Sequence, residues 1–246
     1  MKEKVIVVGV GEIGKPLLEL LGQRYEAYGL DIKLKDPVPD KCDVMHMCFP
    51  FIEGDSFVKA CVDYIKKYQP ALTIINSTVS PGTTRKIAEQ SGADVVYSPV
   101  RGKHARMKQE MLQYVKFIGS IKKEVGEKAA KHFADIGMQV KTLSTPEAAE
   151  LAKLTETTYF GVLIAWAQEV ERYSKAIGAD YDEVVSFYEE IKFFPPTKFF
   201  PGVIGGHCVM PNITILKKHF KSGVLDMVEK SNELKQKNLG IDGWKK

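Results

Sequence analysis

Cysteine is scarce in this chain: Cys42, Cys48, Cys61 and Cys208 are the four it has in 246 residues, and they follow no paired spacing. That excludes a disulfide scaffold and a cysteine-based zinc cluster. No two histidines or carboxylates have metal-ligand spacing, so no catalytic metal is expected. Long apolar runs are also lacking. The best, Val5–Val10, is far too short to cross a bilayer. The first residues, Met-Lys-Glu-Lys, lead straight into a strand-like run without a secretory pattern. Charge of one sign is never concentrated: the net charge is +4, with lysines scattered and only mildly enriched in the tail. This suits solubility and an anionic ligand, and it is too diffuse for a nucleic-acid surface. Repeats and low-complexity segments are absent as well.

What is present is an ordinary globular balance. Apolar residues make up 44%, charged residues 27% and aromatics 10%, enough for a buried core and too many aromatics for a disordered chain. A reducing cytoplasm is the expected location.

Over residues 1 to 144, strand and helix patterns alternate with short connections. KVIVV is a β-branched run of the kind buried on both faces. After GVGEIG a helical pattern runs through Leu17, Leu18, Leu20 and Leu21. The strands AYGLDI, VMHMCF and ALTIINS follow, then Asp94–Tyr97, Val115–Ile118 and MQVKTL. Helices are expected over Ser56–Lys67, Thr83–Gln90 and Lys122–Ile136. The expected fold is α/β: a Rossmann-type, doubly wound, mainly parallel sheet, followed by a smaller all-helical domain over 145–246.

That second domain opens with one long spine helix at about 146–177. Thr145 and Pro146 form its cap and first turn, and Gly178 ends it. Its apolar middle, from Phe160 to Trp166, predicts a homodimer surface. A Gly-rich active-site loop spans 199–212.

Gly9, Gly11 and Gly14 form G-x-G-x-x-G between a strand and a helix. The first permits the turn, the second admits a pyrophosphate and the third lets the helix pack close. The amides around Glu12 and Ile13 would meet the phosphates. Asp31, at the end of the next strand, would take the ribose hydroxyls, which favours NAD over NADP. Lys33 and Lys35 lie close enough to weaken that preference. Pro50, Ser77 and Thr78, beyond the third and fourth strands, complete the expected cofactor wall.

Cys208 sits in FFPGVIGGHCVMPN, where it reads either as a nucleophile lifted by a glycine turn or as a small residue beside a bend. Three segments decide between them: STVSPGTT at 77–84, AELAKLTETTY at 149–159 and GGHCVMPN at 205–212. With GVGEIG they resemble, in this order, the UDP-glucose/GDP-mannose dehydrogenase family. Its patterns are S-T-V-x-P-G-T-T, A-E-x-x-K-L-x-x-N-x-Y and G-G-H-C-I-P-x-D. The resemblance spans nearly the whole chain, and its last two motifs are specific.

It implies NAD-dependent oxidation of a sugar alcohol through a cysteine thiohemiacetal and thioester. Cys208 would be the nucleophile, Lys153 would support an oxyanion or a bound water, and Thr78 would bond near the reacting carbon. His207 would shape the thiol's surroundings or brace the turn. Four features depart from the family. Val100 replaces a glutamate in Ser98-Pro99-Val100-Arg101, Thr157 replaces an asparagine, Asn212 replaces an aspartate, and the lead-in to GGHC is shortened. The two lost carboxylates belong to water activation and proton transfer, so a single hydride transfer, from an alcohol or an aldehyde of a sugar-like or anionic small molecule, is expected in place of the four-electron course.

Cys42, Cys48 and Cys61 read as buried structural residues. The basic stretch RGKHARMK, with Arg101, His104 and Arg106, reads as a solvated loop or as a site for an anionic, sugar-like small molecule. Two other readings stand beside the oxidoreductase: a dinucleotide-binding regulatory or partner subunit, and non-redox group transfer on the same scaffold.

Overall fold

The computed structural model describes residues 2–32, 37–52, 54–102, 106–190, 200–206 and 208–241. Lys33, Lys35, His104 and His207 lie outside them. The chain divides into two units, Met1–Lys153 and Leu154–Lys246.

In the first unit, β1 (Lys4–Val8) is buried after its first residue, as its β-branched run requires. Its side chains alternate between two cores. Val5 and Val7 join Leu17, Leu20, Leu21 and Phe133, while Ile6 and Val8 join Met45, Met47, Phe57 and Ile65. Helices cover both faces: α1 (Gly14–Leu21) and α5 (Lys123–Ala134) pack on the first core, α2 (Asp55–Tyr68) and α3 (Thr83–Ser91) on the second. α1, α2 and α5 bury their apolar residues at three- and four-residue spacing, and α3 buries Ile87 with Thr83 and Thr84 one turn before it.

The seven described strands are β1, β2 (Glu26–Leu30), β3 (Val44–Met47), β4 (Leu72–Ile75), β5 (Val95–Tyr97), β6 (Lys116–Ser120) and β7 (Val140–Leu143). They form one sheet in the order β2-β1-β3-β4-β5-β6-β7. Every neighbouring pair is parallel except β5–β6. The exception has a local cause. Among the described residues, the chain between them holds only the short helix α4 (Met107–Gln113), and it re-enters the sheet at the end it left. The stretch RGKHARMK, read from sequence as a loop, therefore contains the start of a helix.

The long helix appears where expected: α6 runs Pro146–Ile177, 32 residues and roughly 48 Å. Thr145 Oγ1 accepts from the Ala148 amide at 3.1 Å, and Gly178 (φ +74°) ends it in the left-handed region. Its first eight residues belong to the first unit. The remainder joins α7 (Tyr181–Glu189), α8 (Val209–His219) and α9 (Gly223–Asn238) in the second. Gly161 allows α8 to approach α6 closely, since a Cβ there would lie 2.7 Å from Val209 Cγ1. Among the described residues no helix is long and apolar enough to cross a membrane.

Candidate active site

The three glycines after β1 do three different jobs. Gly9 (φ +88°) is left-handed, and a Cβ on it would lie 2.6 Å from the Phe49 nitrogen, where the chain leaves β3. A Cβ on Gly14 would come within 1.8 Å of the Gly9 carbonyl oxygen, so α1 starts hard against the turn. Gly11 differs: a Cβ there meets nothing within 4 Å. Its α-carbon faces open space at the strand ends, beside β1 and β3, where the strand order reverses. In open α/β sheets that is where ligands bind. Asp31 Oδ2 accepts from the Val10 amide at 2.8 Å, and the Gly9 amide donates to Leu30 O at 2.8 Å, tying the turn to β2.

A cavity of about 600 Å³ opens here, lined by Gly11, Glu12, Lys15, Pro16, Arg106 and Lys108. Arg106 pairs with Glu110 at 3.0 Å and Lys108 with Glu19 at 2.9 Å. Backbone that a Cβ would obstruct, the amides at the start of α1 and three cations fit an anionic dinucleotide. Arg101 lies elsewhere on this segment, its guanidinium 5.0 Å from the Tyr114 ring centre and 5.8 Å from that of Phe117.

Next to this turn the ends of β3, β4 and β5 are stitched together by buried polar groups. Ser77 Oγ donates to Phe49 O at 2.6 Å, which fixes the residue before Thr78 against the residue before exposed Pro50. Asn76 Nδ2 donates to Ser98 O at 2.7 Å, so its Oδ1 faces His46 and accepts from Nδ1 at 2.9 Å. His46 Nε2 is then the acceptor of the 3.0 Å bond from His132 Nε2. Burial pushes His46 well below the usual histidine range and His132 to about 4.

Lys116, at the first position of β6, donates to Ser98 O and Pro99 O, both at 2.9 Å. Burial lowers it to about 7; the nearby Cys48 thiol opposes that and the Lys153 ammonium adds to it. Asn76 opens the strand-end segment 76–84 that the sequence singles out, and His46 reads as a strand histidine. The bonds that join them, and Lys116 itself, escaped the sequence reading because each of the three is a lone polar residue in an apolar strand pattern. Only the oddity of a lysine opening KFIGS could have signalled one.

The expected site residues Thr78 and Lys153 are both half-buried. Sequence reasoning passed over a residue three positions before Lys153. Glu150 is fully buried and accepts from the amides of Gly82 (2.6 Å) and Thr84 (2.9 Å). Burial raises its carboxyl, and the bonds from Thr84 and Gly82 hold that rise back. Its signal was the carboxylate in AELAK, three residues before the lysine. Val100, where the family motif has glutamate, is buried in the apolar cluster of Met107 and Met111.

In the second unit, Cys208 is exposed at the N-cap of α8. Asn212, one turn on, is buried and donates its amide to Cys208 O at 3.2 Å. Thr157, on α6, is buried too. The lead-in to the cysteine is held by side chains that carried no motif. Asn232 accepts from the Ile204 amide at 2.7 Å and donates to its carbonyl at 3.0 Å, and Gln168 Nε2 donates to Gly202 O at 2.6 Å. Cys42 and Cys61 are buried and Cys48 half-buried. Burial pushes Cys42 and Cys48 up to about 12 and Cys61 higher still, which makes all three inert thiols.

Residues 147–236 match the central domain of the UDP-glucose/GDP-mannose dehydrogenase family. Over 84% of its length the chain is 26% identical to the UDP-N-acetyl-D-mannosamine dehydrogenase of Methanocaldococcus jannaschii. In these residues the chain is similar to the nucleotide-sugar dehydrogenases. It spans 60% of the length of that archaeal relative.

The fold is shared with a UDP-D-ManNAc dehydrogenase from Pyrococcus horikoshii: TM-score 0.83 at 19% identity, covering 97% of this chain and 72% of the other. A 3-hydroxyisobutyrate dehydrogenase from Mycobacterium tuberculosis shares it as well. There the TM-score is 0.75 at 13% identity, covering 98% of this chain and 94% of the neighbour.

Proposed function

We propose that the chain is a nucleotide-sugar dehydrogenase-like, NAD-dependent oxidoreductase that removes one hydride from an alcohol of a sugar-like or anionic small molecule. The observation that carries the reading is the glycine turn. Gly9 and Gly14 are committed to backbone packing, whereas Gly11 keeps its face clear at the point where a pyrophosphate would lie. Asp31 stands at the end of β2, where an acidic residue takes the ribose hydroxyls of NAD. When bound, NAD supplies the hydride acceptor.

The chain's own residues do the rest. Lys153 supports the developing alkoxide and Thr78 bonds near the reacting carbon. The carbinol C–H pair leaves as hydride, the hydroxyl proton passes to a water that the Lys153 ammonium holds, and an aldehyde remains. Cys208 is the thiol that can hold that aldehyde as a thiohemiacetal, with Asn212, Thr157 and His207 around its motif. Of the basic stretch, Arg101 and His104 are assigned to the anionic part of the substrate, while Arg106, expected there too, lines the cavity given to the dinucleotide.

Two features support stopping at the aldehyde. Val100 is buried among apolar side chains and Asn212 is a buried amide, so neither offers a carboxylate to activate the water that a thioester needs. The same features support the second reading, a dinucleotide-binding partner subunit that has lost turnover. We further assign a homodimer through α6, whose exposed Tyr159, Trp166 and Tyr173 recur every seven residues along one stripe. A cytoplasmic location suits the four free thiols.

The test follows NADH absorbance with nucleotide sugars, sugar phosphates and hydroxy acids, with Cys208→Ser alongside. Turnover is expected, altered by the substitution. Unchanged turnover removes the thiol from the chemistry, and NAD binding without turnover on any substrate favours the second reading.

A further inference from the structure

The loop that carries Thr78 is pinned at both ends. At its start, Asn76 and Ser77 bond to the neighbouring strand ends. At its other end, Gly82 (φ +91°) is the N-cap of α3 and has no side chain with which to cap it. The first amides of a helix need acceptors, and buried amides without them are costly. Here both acceptors come from another helix, since the two oxygens of Glu150 take the Gly82 and Thr84 amides at 2.6 and 2.9 Å. Glu147, one turn earlier on α6, holds Arg85 of the same α3 turn at 2.5 and 3.1 Å. Both members of that second pair are partly exposed, so it contributes little. The fully buried Glu150 is the rigid contact. Residues three apart on a helix share a face, and the next position after 147 and 150 is Lys153.

We propose that Glu150 is a positioning residue, a cap lent by α6 to α3 that sets the distance between the Thr78 loop and the helical turn bearing Lys153. The proposal rests on the oxidoreductase reading for its effect on turnover, and on geometry alone for the clamp itself. Its nature dictates the substitution. A carboxylate offers two acceptor oxygens to two N–H donors, whereas a carboxamide offers one acceptor and turns an NH₂ group toward the other amide.

In full-length Glu150→Gln, kcat should fall at least about tenfold while KM for NAD stays within about twofold, because the glycine turn is untouched. Hydrogen exchange at the Gly82 and Thr84 amides should accelerate selectively, with the sheet amides unaffected. Glu150→Asp keeps both acceptors with a shorter reach and should restore part of the loss. Glu147→Gln should leave kcat near wild type. If Glu150→Gln does not fold, Glu150→Asp is read the same way at smaller amplitude. Wild-type kcat in the folded variant, or equal losses in kcat and in NAD affinity, would overturn the proposal. Should the wild type turn over nothing in the panel, the oxidoreductase reading fails. The exchange measurement then decides the clamp alone: unchanged protection at Gly82 and Thr84 refutes it.

Discussion

Replacing Gly11 and Gly14 in turn by alanine separates what the turn needs in order to fold from what it needs in order to bind. At Gly14 the new methyl would stand 1.8 Å from the Gly9 carbonyl oxygen, where ordinary contact is 3.4–4 Å, so α1 must move off the turn by more than an ångström. Overpacking of this kind costs about 1–3 kcal/mol, a fall in Tm of roughly 2–12 °C for a chain of this size. At Gly11 the methyl meets nothing within 4 Å and the backbone is not left-handed. Alanine there should leave stability unchanged or raise it by about 0.4–1 kcal/mol through the unfolded chain. The same methyl occupies the space a pyrophosphate would take, so NAD affinity should drop at least about tenfold, or roughly 1.4 kcal/mol. Thermal melts and calorimetric NAD titrations on both variants make the comparison. NAD bound by Gly11→Ala as tightly as by wild type would refute the assignment of the open face to the cofactor. A Gly14→Ala protein that melts like wild type would refute the packing argument.

Two further outcomes follow from buried groups. His132 is neutral in the folded chain and lowered from 6.5 to about 4. Its contribution is therefore full above pH 6.5 and is lost as the pH falls toward 4. The depression corresponds to roughly 3 kcal/mol, shared with His46, while Asp135 opposes the effect. Urea unfolding at pH 8 and pH 4.5 measures the loss, and His132→Phe, which keeps the stack on Tyr25, should flatten it; an unaltered acid slope would count against the pair. Val100→Glu restores the family's residue type but places a carboxylate in an apolar cluster. It should cost at least about 2 kcal/mol in the same assay without producing a second oxidation, and a stable variant that makes acid product would contradict this.

Much of this was legible from the residues alone. The β-branched run of β1, the glycine spacing and the Thr145–Gly178 limits of the long helix are local signals, and each stands where its chemistry put it. What was hidden is of another kind. The antiparallel entry of β6 depends on how far a short helix can carry the chain, and no single residue states that. The contact of His46 with His132 joins residues 86 apart, and that of Glu150 with Gly82 joins residues 68 apart. Asn232 reaches 28 residues back to hold the approach to Cys208. In each case a polar side chain embedded in an apolar pattern earns its place only through a distant partner.

The central claim is that one hydride leaves each substrate molecule. A single reaction run to completion with limiting substrate and excess NAD tests it, counting NADH by absorbance and identifying the organic product by mass. One NADH per substrate with an aldehyde product is the predicted result. Two NADH per substrate with a carboxylate product would contradict it, and so would the absence of NADH with every substrate class.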